Sequence, residues 1–580
     1  ADAVRLIREN RGIGLDMDDI PLDDAPAYEL LRSGRTTGVF QLESSGMRDL
    51  SKRIGLESIE EICALVALYR PGPMQFIDQY VESKHNSSKI VYDHPMLEPI
   101  LKETYGVMLY QEQVMHIVRA LAGFSLGQAD IMRRAMGKKD AELMARQRKL
   151  FLEGAVANGV DEKLADAVFT KIELFAKYAF NKSHSMAYAF VAYQTAYLKA
   201  NYPVEFMAAL LSSEAGDMDK VALYVEECRQ MGFDVLPPDI NSSGGDFTVE
   251  GSRIRFGLGA IKNVGSAFAE TVFRERDANG AFSDVFDFCC RMGTKGVNRR
   301  LIESMNKAGA FASTGWNRRQ VEAVIDAALE EGQIAQRERD AGQTSLFDLM
   351  EEAGSAPALH PKPALDEWPE AEILAFEKET LGLYVSSHPL ARHKDVLRRF
   401  TTVRIADLPQ LREGQEVVVG GIVAIAKQHI TSRGQKMAFI TLDTLEGPCE
   451  ITVFSDTYEQ RAGLLVPDMV VMIPARVNFR NNTAGLIASD VIRIEDAEKH
   501  LARVAHIRLR TAGLEESLIE RLARLLGDIP GPCEVQLHCI KPDHSEVIVA
   551  ANGVCRVAAT PALRKKVEDL LGENTLWFSA

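Results

Sequence analysis

Two short polar segments hold residue types that can bind a nucleotide. The first, RRAMGKK at 133–139, places Arg133, Arg134 and Lys138 close together. Guanidinium groups bind phosphate oxygens through two parallel hydrogen bonds, so this segment can hold a triphosphate. The stretch 131–150 contains seven Lys or Arg against two acids, which is also typical of a solvated basic surface. The residues alone leave both interpretations open.

The second segment is FNKSHSMAY at 180–188. Asn181, Lys182 and His184 stand at the predicted start of a helix, where side-chain donors lie beside the positive end of the helix dipole. Tyr188 follows one turn later and can stack on a base or a sugar. The alternative is an ordinary helix cap followed by a core tyrosine.

A third segment, IKNVGSAFA at 261–269, is similar to a helix-hairpin-helix element with the pattern G-x-G-x-x-x-A. Asn263 replaces the first glycine, and Asn tolerates the left-handed conformation that this position requires. Such a hairpin directs backbone N–H groups at one DNA phosphate without reading sequence. A plain hairpin between two helices is the alternative. The predicted DNA contacts are Lys262, Asn263, Val264, Gly265, Arg299 and Arg300.

The peptide QTSLF contains Gln343, Leu346 and Phe347, between a charged helix and an acidic, Pro-containing linker. Exposed apolar side chains at such a place favour a partner that buries them. A short amphipathic segment packed on the rest of the chain is the alternative.

An acidic stretch, RGIGLDMDDIPLDD, contains Asp16 and Asp18 in a D-x-D spacing. On a strand, that spacing would place both carboxylates on one face, as a metal site needs. The stretch is flanked by Gly and Pro and shows no strand pattern. We therefore expect no metal site in this stretch.

The elements that position these segments belong to a soluble protein of several domains. The 580 residues carry a net charge of −15, which excludes a uniformly basic DNA-coating protein but not local DNA contacts. We see no signal peptide and no apolar run of about 20 residues, and the eight cysteines form no C-x-x-C pair. These features predict a reduced, cytoplasmic protein, and the start without Met suggests a piece of a longer one.

The hydrophobic periodicity predicts a multidomain α+β fold. Residues 1–213 are mainly helical, and 214–398 combine helices, the hairpin and a linker. Five strand candidates with period-2 alternation predict an OB-type β-barrel over 399–500. Residues 501–580 predict a small α+β domain, in which Cys533 and Cys539 share a strand face. Phe439, Phe454 and Phe479 of the barrel can stack on bases, although such residues more often fill a barrel core.

Several strings resemble the bacterial DNA polymerase III alpha subunit family, the replicative class C polymerases. They are GVFQLES (38–44), ALYRPGPM (67–74), TYGVMLYQEQVM (104–115), RRAMGKK, FNKSHSMAY, KANYPVEFMAA (199–209) and EKETLGLYVSSHPL (377–390). The resemblance implies that 1–213 are polymerase fingers and that 214–398 contain a clamp-binding region. It implies nucleotide-binding roles for Arg133, Arg134, Lys138, Asn181, Lys182, His184 and Tyr188.

The same resemblance implies that the parent protein is a DNA-directed DNA polymerase that uses Mg²⁺, held by a palm domain outside this chain. The fragment alone should bind no metal and be inactive. The implied partners are template-primer DNA, deoxynucleoside triphosphates, the sliding clamp (beta subunit) through Gln343, Leu346 and Phe347, the clamp-loader tau subunit through 501–580, and a proofreading exonuclease subunit through other regions. A non-catalytic scaffold and the error-prone paralogue of the subunit are the alternative readings; the intact peptide favours the replicative form.

Overall fold

The computed structural model of the chain describes residues 1–138, 141–176, 180–293, 296–340, 360–387, 389–431, 433–480, 483–543, 545–551 and 555–580. The chain folds into two compact units, Ala1–Ser386 and Ser387–Ala580. The nearest domain boundary that the sequence predicts lies between residues 398 and 399. The second unit begins earlier because Leu390 and Leu397 are buried in its core.

The first part of unit one is helical, as predicted. The helices are α1 (Asp2–Arg11), α2 (Ala25–Ser33), α3 (Ser45–Ile54), α4 (Ile59–Leu68), α5 (Ile77–His85), α6 (Glu98–Leu101), α7 (Gln111–Ala122), α8 (Leu126–Lys138), α9 (Ala141–Ala157), α10 (Glu162–Ala176), α11 (Lys182–Asn201) and α12 (Pro203–Ser213). Side-chain caps start several of them; Ser58, for example, accepts a hydrogen bond from Glu61 N–H. Helix α4 ends at Leu68, just before the stop signal Arg70-Pro71-Gly72-Pro73.

Two hydrophobic cores organise these helices. One core lies among α2, α3, α4 and α11 and includes Leu65, Leu68 and Tyr193. The other lies among α7, α8, α9 and α10 and includes Val118, Phe151 and Phe169. The two candidate nucleotide-binding segments therefore stand on different helix groups.

The second part of unit one surrounds a third core, which includes Phe256, Phe288 and Phe311. Its elements are α13 (Met218–Gln230), β1 (Val235–Leu236), β2 (Thr248–Glu250), β3 (Arg253–Arg255), α14 (Ser266–Asn279), α15 (Val285–Met292), α16 (Arg299–Lys307), α17 (Arg318–Asp340) and α18 (Glu370–Leu381). The strands form a sheet in the order β1-β3-β2. Of these three short strands, only β3 is predicted from the sequence.

The second unit begins with α19 (Lys394–Phe400) and a β-barrel. The barrel elements are β4 (Glu416–Ile430), β5 (Lys436–Thr444), β6 (Gly447–Val453), α20 (Ser455–Arg461), β7 (Val470–Arg480), β8 (Thr483–Ala488) and β9 (Ile492–Arg493). The strand order is β4-β5-β6-β8-β7, and β7 also pairs with β4, which closes the barrel. Strands β6 and β8 are parallel and the other pairs of the ring are antiparallel. The predicted OB-type barrel is confirmed; the last strand candidate splits into β8 and β9.

The C-terminal part of unit two is an α+β sheet domain, as predicted. It contains α21 (Ala497–Leu501), β10 (Val504–Arg510), α22 (Glu516–Gly527), β11 (Pro530–Ile540), β12 (Glu546–Ala550), β13 (Arg556–Val557), α23 (Pro561–Leu571) and β14 (Leu576–Ser579). The sheet order is β12-β11-β10-β14. Cys533 and Val535 are buried on one side of β11, whereas Cys539, which was predicted to share that side, is only partly buried and His538 of the opposite side is buried.

Candidate nucleic-acid interface

The start of α11 is the first candidate nucleotide contact, and its donors are already engaged. The Oδ1 atom of Asn181 accepts a hydrogen bond from His184 N–H at 2.9 Å and so caps the helix. The Nδ2 atom of Asn181 and the N–H of Lys182 both donate to the carboxylate of Glu112, each at 2.9 Å. The Glu112 carboxylate therefore occupies the positive end of the helix dipole. A phosphate must replace this carboxylate or approach beside it.

The Lys182 side chain is also paired. Its Nζ lies 2.6 Å from Glu103 Oε2, and both side chains are about a third exposed. An exposed ion pair of this kind contributes little to stability, so its cation can exchange partners at low cost. Lys182 stays a predicted nucleotide contact, with Glu103 as the group that a phosphate would replace.

Aromatic rings line one face of α11. The ring centroids of Phe180 and His184 are 5.4 Å apart, and those of His184 and Tyr188 are 4.6 Å apart. The rings meet because residues four apart share a helix face. His184 is exposed and Tyr188 is half-buried, so Tyr188 is not the core tyrosine of the alternative interpretation.

Arg133 and Arg134 lie on α8 and share one acidic partner. Both guanidinium groups donate to Asp130, with the shortest contacts at 2.8 Å for Arg133 and 2.5 Å for Arg134. Hydrogen bonds from Arg133 and then Arg134 hold the pKa of Asp130 below its ordinary value. The two guanidinium groups therefore form a fork that already binds one surface carboxylate, that of Asp130. The side chain of Lys138, the last residue of α8, lies outside the described part.

The structure does not join the two nucleotide-binding segments by a direct contact. In the described residues, no hydrogen bond or ion pair links Arg133 or Arg134 to α11. Helix α7 connects them, because it packs against α8 and carries Glu112 at its own first turn. Neither acidic partner, Asp130 or Glu112, was predicted from the sequence. Asp130 could have been recognised, since it lies three and four residues before the arginines, whereas Glu112 is distant in sequence from Asn181.

The hairpin between β3 and α14 has the predicted backbone. Asn263 adopts φ +69°, which confirms its left-handed conformation, and Gly265 adopts φ +73°. The side chain of Val264 is buried, and its N–H donates to Ile261 O at 3.1 Å, so Val264 cannot use its side chain on DNA. Helix α14 starts at Ser266 without a side-chain cap. Its first-turn N–H groups therefore face solvent at a positive helix end, in contrast to α11.

The second basic pair lies beside this hairpin. The Nδ2 atom of Asn263 donates to Ser304 Oγ on α16 at 2.9 Å, and this contact ties the hairpin to the helix that starts with Arg299 and Arg300. Arg299 pairs with Glu303 at 2.6 Å and also with Asp326, whereas Arg300 is exposed. The structure thus brings the predicted DNA contacts together. The positive charge of Arg299 is the most strongly neutralised among them, because two carboxylates pair with it.

The peptide with Gln343, Leu346 and Phe347 lies outside the described residues. The chain is anchored on both sides of it. Helix α17 ends at Asp340, and His360 stacks on Phe286 with ring centroids 3.9 Å apart and pairs with Glu331 at 3.2 Å.

The outer surface of the barrel carries two of its three predicted stacking residues. Phe439 and Phe454 are 44% and 49% exposed, whereas Phe479 packs against the barrel core. Phe439 pairs across the sheet with Lys427, which is also exposed. OB barrels bind oligonucleotides on the strands that correspond to β5 and β6.

The acidic stretch near the start of the chain is a loop, without the strand that a D-x-D metal site needs. Asp16 Oδ1 accepts a hydrogen bond from Asp18 N–H at 2.9 Å, and Asp24 caps α2. Within the described ranges, no group of three or more His, Cys, Asp or Glu side chains is arranged to hold a metal ion. The carboxylates present therefore do not fit a two-metal Mg²⁺ site. Among the described helices, none has the length and apolar character to cross a membrane.

Comparisons with known proteins agree with this domain order. Residues 1–159 match the model of the bacterial DNA polymerase III alpha subunit finger domain, residues 232–321 a helix-hairpin-helix motif, and residues 417–494 an OB-fold nucleic acid binding domain. DNA polymerase III subunit alpha of Pseudomonas fluorescens is 39% identical over 97% of this chain and 50% of its own length. The protein of the same name from Escherichia coli (strain K12) is 40% identical over 97% of this chain and 49% of its own length.

The fold and the three matches define a multidomain protein with a polymerase finger domain, a helix-hairpin-helix motif and an OB-fold nucleic acid binding domain. The chain belongs to the family of bacterial DNA polymerase III alpha subunits. It spans about half the length of the curated relatives that it matches.

Proposed function

We propose that this chain is the part of a DNA-directed DNA polymerase that holds template-primer DNA, the incoming nucleotide and the sliding clamp. The carboxylates that bind Mg²⁺ would belong to a palm outside these residues. The observation that carries the DNA-binding proposal is the open start of α14. There, Asn263 and Gly265 hold the backbone in the hairpin conformation, and no side chain caps the helix.

For the nucleotide, the proposal rests on the arginine fork of α8 and the ring-lined start of α11. Arg133 and Arg134 present two guanidinium groups around one carboxylate, an arrangement that accepts a phosphate in place of Asp130. His184 and Tyr188 offer ring surface at the first turns of α11, and α7 links this helix to α8 through Glu112.

For the partners, we propose that Gln343, Leu346 and Phe347 bind the sliding clamp. What supports this is the residue pattern of the segment, which lies between the end of α17 and His360, itself paired with Glu331. We also propose that 501–580 dock the clamp-loader tau subunit. Strand β12, which lies at one edge of the sheet, supports this: its Val547, Ile548 and Val549 are 41%, 56% and 46% exposed.

DNA binding by this chain should be weak, salt-sensitive and indifferent to sequence, because the hairpin offers backbone donors to phosphate. The measurement is fluorescence anisotropy with a labelled duplex over a range of salt concentrations. Lys262→Ala should reduce the slope of log K against log salt by about one. Arg274→Ala is the matched control, since Arg274 lies on α14 away from the hairpin and pairs with Glu270.

Two results would contradict this proposal. One is a preference for one DNA sequence greater than about tenfold, which phosphate contacts cannot produce. The other is an equal change of salt slope in Lys262→Ala and Arg274→Ala, which would assign the effect to general surface charge.

A further inference from the structure

The aromatic stripe on α11 continues onto a different segment of the chain. The ring centroid of Phe40 lies 5.3 Å from that of Tyr188, so the rings of Phe180, His184, Tyr188 and Phe40 follow one another along the surface. We call these four rings the α11 stripe. Phe180 precedes α11, which begins at Lys182, whereas His184 and Tyr188 lie one turn apart within the helix.

The loop that carries Phe40 is held by a buried lysine of α11. The Nζ atom of Lys199 donates to Arg35 O at 2.9 Å and to Thr37 O at 2.8 Å, and it lies 2.6 Å from Glu227 Oε1. The Lys199 side chain is fully buried. Its burial lowers its pKa, and the adjacent Glu227 carboxylate opposes that shift. Two of these three contacts hold backbone carbonyl groups of the loop, those of Arg35 and Thr37.

Two further contacts fix the backbone at Phe40 itself. Phe40 N–H donates to Thr195 Oγ1 on α11 at 3.1 Å, and Gly38 N–H donates to Glu43 Oε2 at 2.8 Å. The next residue, Gln41, adopts φ +62°, a conformation that costs free energy for a residue with a side chain. Strain of this kind persists where the surrounding contacts over-determine the backbone, and it concentrates at ligand-binding sites.

Phe40 is 38% exposed even though its backbone is held this firmly. A single exposed phenylalanine is ordinary by itself. Here the ring is placed against Tyr188, in line with an exposed His184, on a loop that carries strain. The stripe begins at the start of α11, where Lys182 and the Glu112 carboxylate lie, and Phe40 is at its opposite end.

We infer that Phe40 is a nucleobase-stacking residue that extends the α11 stripe, with Lys199 and Thr195 as the residues that position it. The ligand is a base at the template-primer end, and this assignment rests on the proposed function. The phenyl ring has no hydrogen-bonding group, so it stacks on any base and reads no sequence. Phosphate groups lie toward the start of α11, and bases lie toward Phe40.

The test uses this chain and a primer-template with 2-aminopurine at the primer terminus or at the template position opposite the next nucleotide. In wild type, stacking should quench the probe at one of these positions. Phe40→Leu should weaken DNA binding by about 5- to 100-fold and relieve the quenching. Phe40→Trp should restore both. Thr195→Val removes the acceptor of Phe40 N–H and should produce a smaller loss in the same direction.

Phe190→Leu is the matched control, because Phe190 lies on α11, is 40% exposed and is not part of the α11 stripe. Equal affinity and equal quenching in wild type, Phe40→Leu and Phe190→Leu would overturn the inference while leaving salt-dependent DNA binding, and therefore the proposed function, intact. Failure of the wild-type chain to bind the DNA at all would overturn both. Thermal melting of each variant should match that of wild type, since both rings are exposed.

Discussion

Replacing either Arg133 or Arg134 with alanine in the full-length polymerase should lower kcat/KM for nucleotide incorporation by about 10- to 150-fold. Each change removes a charge-assisted hydrogen bond to phosphate, which contributes about 1.5–3 kcal/mol. The loss should be similar for all four deoxynucleotides, because phosphate groups carry no base identity. The measurement is single-nucleotide incorporation kinetics with each nucleotide in turn.

Arg146→Ala supplies the control for this experiment. Arg146 is exposed and belongs to the same basic stretch, but it is not part of the fork around Asp130. Unchanged kcat/KM in both fork variants would show that Arg133 and Arg134 belong to a solvated basic surface and do not bind the nucleotide. A loss confined to one nucleotide would indicate a base contact in place of a phosphate contact.

The double change Leu346→Ala, Phe347→Ala should abolish sliding-clamp binding in practice. Burial of one Leu and one Phe side chain contributes on the order of 3–6 kcal/mol before the entropy of association is subtracted. Short-primer activity of the full-length parent should stay nearly constant, whereas product length in the presence of the clamp should collapse. Clamp titration and thermal unfolding of mutant and wild type are the measurements.

Two outcomes would count against the clamp assignment. Clamp affinity that persists in the double variant would show that Leu346 and Phe347 do not bind the clamp. A melting temperature several degrees lower would place Leu346 and Phe347 in a core, as the packing alternative requires. Gln343→Ala should weaken clamp binding less than the double change, because it removes one hydrogen bond and no apolar burial.

The barrel and the hairpin show what a sequence specifies locally. Strand β4 was predicted with its observed limits, because the pattern of apolar and polar residues over Glu416–Ile430 is typical of a strand. The left-handed turn at Asn263 was predicted because few residue types tolerate it. A helix was predicted over 185–202 from the spacing of its apolar residues, and α11 spans Lys182–Asn201.

Glu112, the acidic partner of the start of α11, could not be predicted from local sequence pattern. The contact between Glu112 and the start of α11 depends on the fold, since it joins residues 69 and 70 positions apart. The contact between Phe40 and Tyr188 joins two segments that no periodicity relates. Sequence reasoning therefore identified the cations and rings of the interface, and missed the carboxylates that now neutralise the cations.

We propose that this chain binds DNA and nucleotide but does not catalyse nucleotide incorporation by itself. The most direct test is a primer-extension assay with this chain alone, Mg²⁺ and all four deoxynucleotides, at a protein concentration where anisotropy shows the primer-template to be bound. The account predicts bound DNA and a primer of unchanged length. Mg²⁺-dependent extension of the primer by this chain would contradict it.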